Sequence, residues 1–163
     1  MTKTLQIEQI ATVVGGHTTV ADDYQGGVES VIRLDDRFPL ETLQGLDEFS
    51  HLTVLWHFHK ASPDDVQLHA RSPRGDTRWP ATGTFVHRNH RRPNQLATSY
   101  PRLLRVVGRD LHVTDFDAVD GTPVYDIAPY FEQMGPRGQV CQPAWPQEML
   151  EPNYWAPATV RSV

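Results

Sequence analysis

The chain has 163 residues, 39% of them hydrophobic, with a formal net charge of -5 and an isoelectric point near 5.9. That length suits one hydrophobic core, and no apolar run approaches eighteen residues, so a single domain without a membrane span is expected. The negative balance excludes the simplest mode of nucleic-acid binding, a uniformly basic surface, and the lone Cys141 excludes an internal disulfide or a zinc knuckle.

The opening MTKTLQIEQI has no basic stretch ahead of an apolar one, which predicts no signal peptide and a cytoplasmic protein. Thirteen prolines and eleven glycines are spread along the chain, the pattern of short strands joined by many turns, so the fold is expected to be mainly β. Gly15-Gly16 and Gly26-Gly27 read as turns. From Val28 to Leu34 apolar and polar residues alternate as in a strand. Pro39 suits a first helical turn, and Leu40, Leu43 and Leu46 recur at helical spacing, which predicts one short helix. Leu52 to His59, rich in β-branched and aromatic residues, is the best strand and should cross the core. Ser62 to Pro80 reads as a loop interrupted by a short strand at Val66 to Ala70, and Thr82 to His87 as a further strand. Leu103 to Val107 and Leu111 to Thr114 flank Gly108-Arg109-Asp110 as a hairpin. Asp120-Gly121-Thr122-Pro123 is a turn leading into a strand at Val124 to Ile127. Residues 136–163, with Trp145, Trp155 and a helical turn at Gln147 to Leu150, read as a C-terminal arm packed on the domain formed by 1–135.

Chemistry-bearing residues form three groups. On a strand, residues two apart share a face, so His57 and His59 would project together, with His51 ahead of them. They could offer two imidazoles to a metal, with His69, His87 or His90 as third ligand, or form a hydrogen-bonded or basic pair without metal. Arg88, Arg91 and Arg92, with His87 and His90 among them, are the densest positive cluster. Asp115, Asp117, Asp120 and Asp126 bracket a turn, where Asp commonly satisfies backbone N–H groups; converging carboxylates would also suit a cationic ligand. The glycine signatures of dinucleotide-binding, P-loop and α/β-hydrolase folds do not occur.

Three segments together resemble the TrmO/TsaA-like family. Gly45-Leu46-Asp47-Glu48-Phe49-Ser50-His51, followed by Phe58-His59, is similar to the family's GL-x-x-FSH segment with its downstream FH. Gly83 to Asn94, GTFVHRNHRRPN, resembles its GVFATR-x-x-x-RPN loop, and Asp117 to Tyr130, DAVDGTPVYDIAPY, resembles D-x-x-DGTPV-x-DIKPY. The resemblance implies a small β-barrel with one or two short helices, binding S-adenosylmethionine without a Rossmann fold. It implies a cofactor site of Phe58, His59, Arg88, Tyr100 and the turn Asp117, Ala118, Val119 and Asp120, with no metal. Under it, Asp117 or Asp120 would hold the cofactor's ribose or cationic end, Arg88 and Asn94 would orient cofactor or acceptor, and His59 would be the base. It also implies a methyltransferase and a homodimer with the cofactor near the subunit interface.

The family's best-known acceptor is the exocyclic nitrogen of threonylcarbamoyl-adenosine in tRNA, and a small molecule of a specialised pathway is the alternative. Readings of other classes are a metal-dependent enzyme using His57 and His59 and a cofactor-binding sensor without turnover. Departures fall on the acceptor side. The family's RPNPIG-x-S reads Arg92-Pro93-Asn94-Gln95-Leu96-Ala97-Thr98-Ser99, so Gln95 stands for a proline and Ala97 for a glycine. Ala128 replaces the lysine of DIKPY, Asp22 to Gly27 occupies the place of an N-terminal RQPG, and the C-terminal tRNA-binding domain of some members is expected to be missing.

Overall fold

The computed structural model describes residues 1–157. Alternating burial builds seven strands: β1 (Ala11–Val14), β2 (Ser30–Leu34), β3 (Leu52–His57), β4 (Leu96–Ser99), β5 (Arg102–Val107), β6 (Asp110–Thr114) and β7 (Pro123–Pro129). They form one antiparallel sheet in the order β4-β3-β7-β1-β2-β6-β5. Leu52, Val54 and Trp56 of β3 point inward, as do Ala11 and Val13, Ile32 and Leu34, Leu111 and Val113, and they meet Phe116, Ala118 and Val124 in one core.

β4 and β5 stand at opposite ends of that order, yet only Tyr100-Pro101 separates them in the chain. Val54 faces Ser99, the Leu52 N–H donates to the Pro101 carbonyl at 3.1 Å, His51 bridges Arg102, and the Leu103 N–H donates to the Ser50 carbonyl at 2.8 Å. Segment 96–103 therefore runs along β3 in one register, and its continuation pairs with β6. The sheet curls toward the expected barrel. Its closure rests on that bridge and those two backbone bonds instead of a full ladder, so the barrel is loose.

Several expected elements differ. Leucine spacing at 40–46 gives two 3-10 turns, Leu40–Leu43 and Leu46–Glu48, because Gly45 at φ +84° breaks the run. Val66 to Ala70 is loop, and Thr82 to His87 contains only the 3-10 turn Thr84–Val86, joined to Arg71 by one bridge at Thr82. Phe85 and Val86 are 79% and 51% exposed, so their apolar character finds no core to hold a strand. β3 stops at His57 and leaves Phe58 and His59 in a turn.

The expected arm is followed to Pro157; positions 158–163 lie outside the described residues. It carries α1 (Ala144–Leu150), which buries Trp145, and then runs beside residues 24–26. The Tyr24 N–H donates to the Asn153 carbonyl (3.0 Å) and the Gln25 N–H to the Tyr154 carbonyl (2.7 Å), while the Trp79 indole donates to Glu148 (2.8 Å). A Cβ on Gly26 would stand 2.0 Å from the Trp155 carbonyl oxygen, which leaves room for glycine alone. Gly26→Ala should lower unfolding stability by about 1–3 kcal/mol, read from chemical denaturation, because backbone must move aside on one of the two segments.

Candidate functional site

At the exit of β3 the ladder to β7 slips between Leu55 and Trp56, a bulge that bends the strand where the turn begins. The Phe58 N–H donates to the Gln95 carbonyl at 3.0 Å, and the His59 N–H turns back to the His57 carbonyl at 2.8 Å. The two histidines therefore do not extend from one strand face as the period-two reading expects. The Phe58 ring packs edge-on against Trp56, 4.6 Å between centroids, and 6.1 Å from His90. The exposed His59 ring places Nδ1 3.3 Å from the Thr122 hydroxyl, and a Cβ on Gly121 would lie 3.6 Å from its Nε2, so His59 sits against the DGT turn. Burial, then the neighbouring charges of Lys60 and His57, hold the imidazole below the ordinary histidine pKa, with Asp120 opposing. That shift favours the neutral ring, which can accept a proton.

The arginine loop lies on the edge of β4. Arg88 donates to the Thr98 carbonyl at 2.6 Å and Arg92 to the Leu96 carbonyl at 2.5 Å, covering the outward acceptors of an edge strand. Asn94 and Gln95 follow at φ +68° and +51°. A proline cannot adopt that φ, so this loop departs in backbone as well as sequence from the family pattern. Gln95 is 5% exposed; its amide donates to the Ser62 and His90 carbonyls at 2.8 and 2.9 Å. With the Phe58 bond, it ties the His59 turn to the Arg88–Asn94 loop.

In the aspartate turn each residue has a different surrounding. Ala118 is buried in the core, and Val119 bridges His17. Asp120 accepts the Gly15 N–H at 2.7 Å, and Asp115 accepts the Gly27 N–H at 3.1 Å, so each bonds the backbone of a distant segment and not that of its own turn. Asp117 accepts Ser99 Oγ at 2.5 Å on one oxygen and the Tyr154 hydroxyl at 2.8 Å on the other. Ser99 in turn accepts the indole N–H of buried Trp56 at 3.0 Å.

Two neighbourhoods thus emerge: His59 against Thr122 and the turn, and Asp117 joined through Ser99 to β4, whose edge Arg88 covers. Tyr100, the residue after β4, is exposed and packs edge-on to Tyr130 at 5.5 Å. Asn94 is exposed, and among the described residues its side chain makes no hydrogen bond to either neighbourhood. Among the described residues no three His, Cys, Asp or Glu side chains come together to hold a metal. His87, one of the candidate third ligands, is buried and bonded to Thr82. A cavity of about 510 Å³ opens elsewhere, between Arg74, Arg78 and Trp79 and the arm residues Glu148 and Asn153, and contains none of the expected site residues. Sequence reasoning missed Gln95 as a tie, Ser99, Thr122 and Tyr154. Ser99 is a polar residue on the inward face of a strand, which is the signal that could have found it; Tyr154 carries no such signal.

The family model described as the tRNA-methyltransferase O N-terminal domain matches residues 20–135. A human protein named tRNA (adenine(37)-N6)-methyltransferase is 32% identical over 122 residues, which cover 75% of this chain and 27% of that protein. A Pyrococcus abyssi protein named probable S-adenosyl-L-methionine-binding protein is 31% identical over 122 residues, 75% of this chain and 61% of its own length. The chain spans less than half the length of several curated relatives it matches. The crystal structure of TrmO from Pseudomonas aeruginosa is similar in fold, with a TM-score of 0.66, 24% identity, and coverage of 85% of this chain and 61% of that one.

The lowered His59 pKa has a direct readout. Following the ring resonances of His59 by NMR against pH should give a midpoint below 6.5, and Asp120→Asn should lower it further by removing the opposing charge.

Proposed function

The chain belongs to the tRNA-methyltransferase O N-terminal domain family, and from that membership we propose that it is a methyltransferase using S-adenosylmethionine as donor. The observation that carries this reading is that the family match spans the three recognised segments, 45–59, 83–94 and 117–130, in one continuous stretch. The names of the Pyrococcus and human relatives support the donor and the reaction. The residues present suit such a ligand. Asp117 and Asp120 offer carboxylates to a cationic or hydroxyl-bearing group, Arg88 keeps guanidinium N–H groups beyond the one spent on Thr98, and Phe58 and Tyr100 present aromatic surface.

When bound, S-adenosylmethionine supplies an electrophilic methyl group on a sulfonium for in-line attack. The protein's share is to align and to receive a proton. His59, kept neutral, accepts at Nε2 the proton that an amino nucleophile loses, while Nδ1 rests on Thr122. Arg88 and Asn94 orient the reacting groups. We take the acceptor to be the N6 of an adenine in tRNA, in line with the human relative's name, and the arginines at 88, 91 and 92 as its local phosphate contacts. A small-molecule acceptor is the second reading, favoured by the net charge of -5.

His59, Arg88, Asn94, Tyr100 and Asp120 are all exposed, and a second copy packed against this side would cover them. The stacked pair Phe49–Phe131, the Tyr100–Tyr130 pair and Met134, 80% exposed, supply an apolar surface next to them and support a homodimer. No helix among the described residues is long and apolar enough to cross a membrane, and the cytoplasm is the compartment we propose.

Calorimetric titration with S-adenosylmethionine and S-adenosylhomocysteine tests the donor. Saturable binding is expected, weakened about tenfold in Asp120→Asn, which can keep the Gly15 contact while losing charge. Absence of binding by the unmodified protein would sink the reading. For the acceptor, affinity for a tRNA transcript should fall steeply as salt is raised; no measurable tRNA binding at low salt moves the choice to a small molecule.

A further inference from the structure

We propose that Tyr154 is a positioning residue of this site: the C-terminal arm delivers its hydroxyl to Asp117, and the carboxylate is held in its ligand-binding orientation through that contact. The proposal rests on the reading that Asp117 binds the cofactor. Its basis is a hydrogen-bond chain whose direction is set by chemistry. An indole N–H can only donate, so Ser99 Oγ accepts from Trp56, and the serine proton is left for Asp117 Oδ1 at 2.5 Å. The other oxygen, Oδ2, accepts the phenol proton at 2.8 Å. Every proton in the chain points toward the carboxylate, which accepts on both oxygens, and each of them retains a lone pair for a ligand.

The phenol is fitted to this task. Burial first, then the charge of Asp117 and the bond to it, push the Tyr154 pKa well above the usual tyrosine range, with Arg88 and Arg74 opposing. With the arm docked, the phenol therefore keeps its proton and stays a donor. The arm does not depend on this bond to stay in place: the Tyr154 carbonyl is held by the Gln25 N–H, the Asn153 carbonyl by the Tyr24 N–H, and Glu148 by Trp79. The hydroxyl is thus free to act on Asp117 instead of serving as the anchor. The family match ends at residue 135, so this donor reaches the site from beyond the matched region.

The test is a double-mutant cycle on S-adenosylhomocysteine affinity, measured by calorimetry with Tyr154→Phe, Asp117→Asn and the double variant. Tyr154→Phe keeps the ring packed on Trp155, 4.8 Å between centroids, and should weaken binding about tenfold, while in the Asp117→Asn background it should change nothing further. Glu148→Ala removes only the Trp79 contact and leaves the Tyr24 and Gln25 bonds that hold the arm at Asn153 and Tyr154, so it should leave affinity unchanged. Unchanged or tighter binding by Tyr154→Phe overturns the proposal. So does an equal loss in both backgrounds, or an arm that Tyr154→Phe renders sensitive to limited proteolysis, which would make the hydroxyl a tether. Failure of the unmodified protein to bind at all overturns the cofactor reading itself, whereas binding lost in Asp117→Asn but kept in Tyr154→Phe overturns this proposal alone.

Discussion

One stretch of chain, 96–107, has to satisfy two ladders. Its first half pairs with β3 and its second with β6, and Pro101, buried and without an N–H to donate, sits where it passes from one to the other. Because the same backbone borders both ends of the sheet, the sheet must curl, and the remaining strands are placed by that curl. Trp56 and Ser99 become diagonal neighbours across the β3–β4 pair, close enough for the indole to reach the hydroxyl. The aspartate turn then lies over that hydroxyl. The candidate site is a product of the seam that gives the barrel its shape.

The charged residues around the seam divide by what they hold, backbone or side chain. Asp115 and Asp120 hold the N–H groups of Gly27 and Gly15, and Arg92 covers a strand-edge carbonyl. All three contacts are to backbone, and the two aspartates pin turns from the N-terminal part of the chain to this side of the sheet. Asp117 differs. Its partners are side-chain hydroxyls from two distant segments, Ser99 and Tyr154, so its position reports the docking of both.

The strands that alternate cleanly were legible in the sequence. Ile32 and Leu34, Leu111 and Val113 show the period, and Gly108 marks the hairpin between β5 and β6. The DGTP turn was legible by another cue, a glycine, here at φ +82°, with a proline two residues on. Thr84-Phe85-Val86 misled, since strand propensity is a statement about half-buried surfaces and these side chains face solvent. His57 and His59 misled because a period of two holds only while the strand continues. The aspartates and the arginine loop were recognisable by motif, yet their partners were not. Nothing local in the sequence ties Tyr154 to Asp117 or Gln95 to Ser62; those pairings exist only after the sheet has curled.

The glycine contact between Gly26 and Trp155 joins segments about 130 residues apart, and it carries a consequence for the order of assembly. Closing so long a loop is costly before the intervening barrel exists, so the arm docks last, onto a surface already formed. An element that docks last on a few backbone bonds is also the first to open, at a free energy below that of global unfolding. Warming or mild denaturant will therefore release the phenol from Asp117 while β1 to β7 remain paired, and the loss of a fully formed site will precede the melting of the fold.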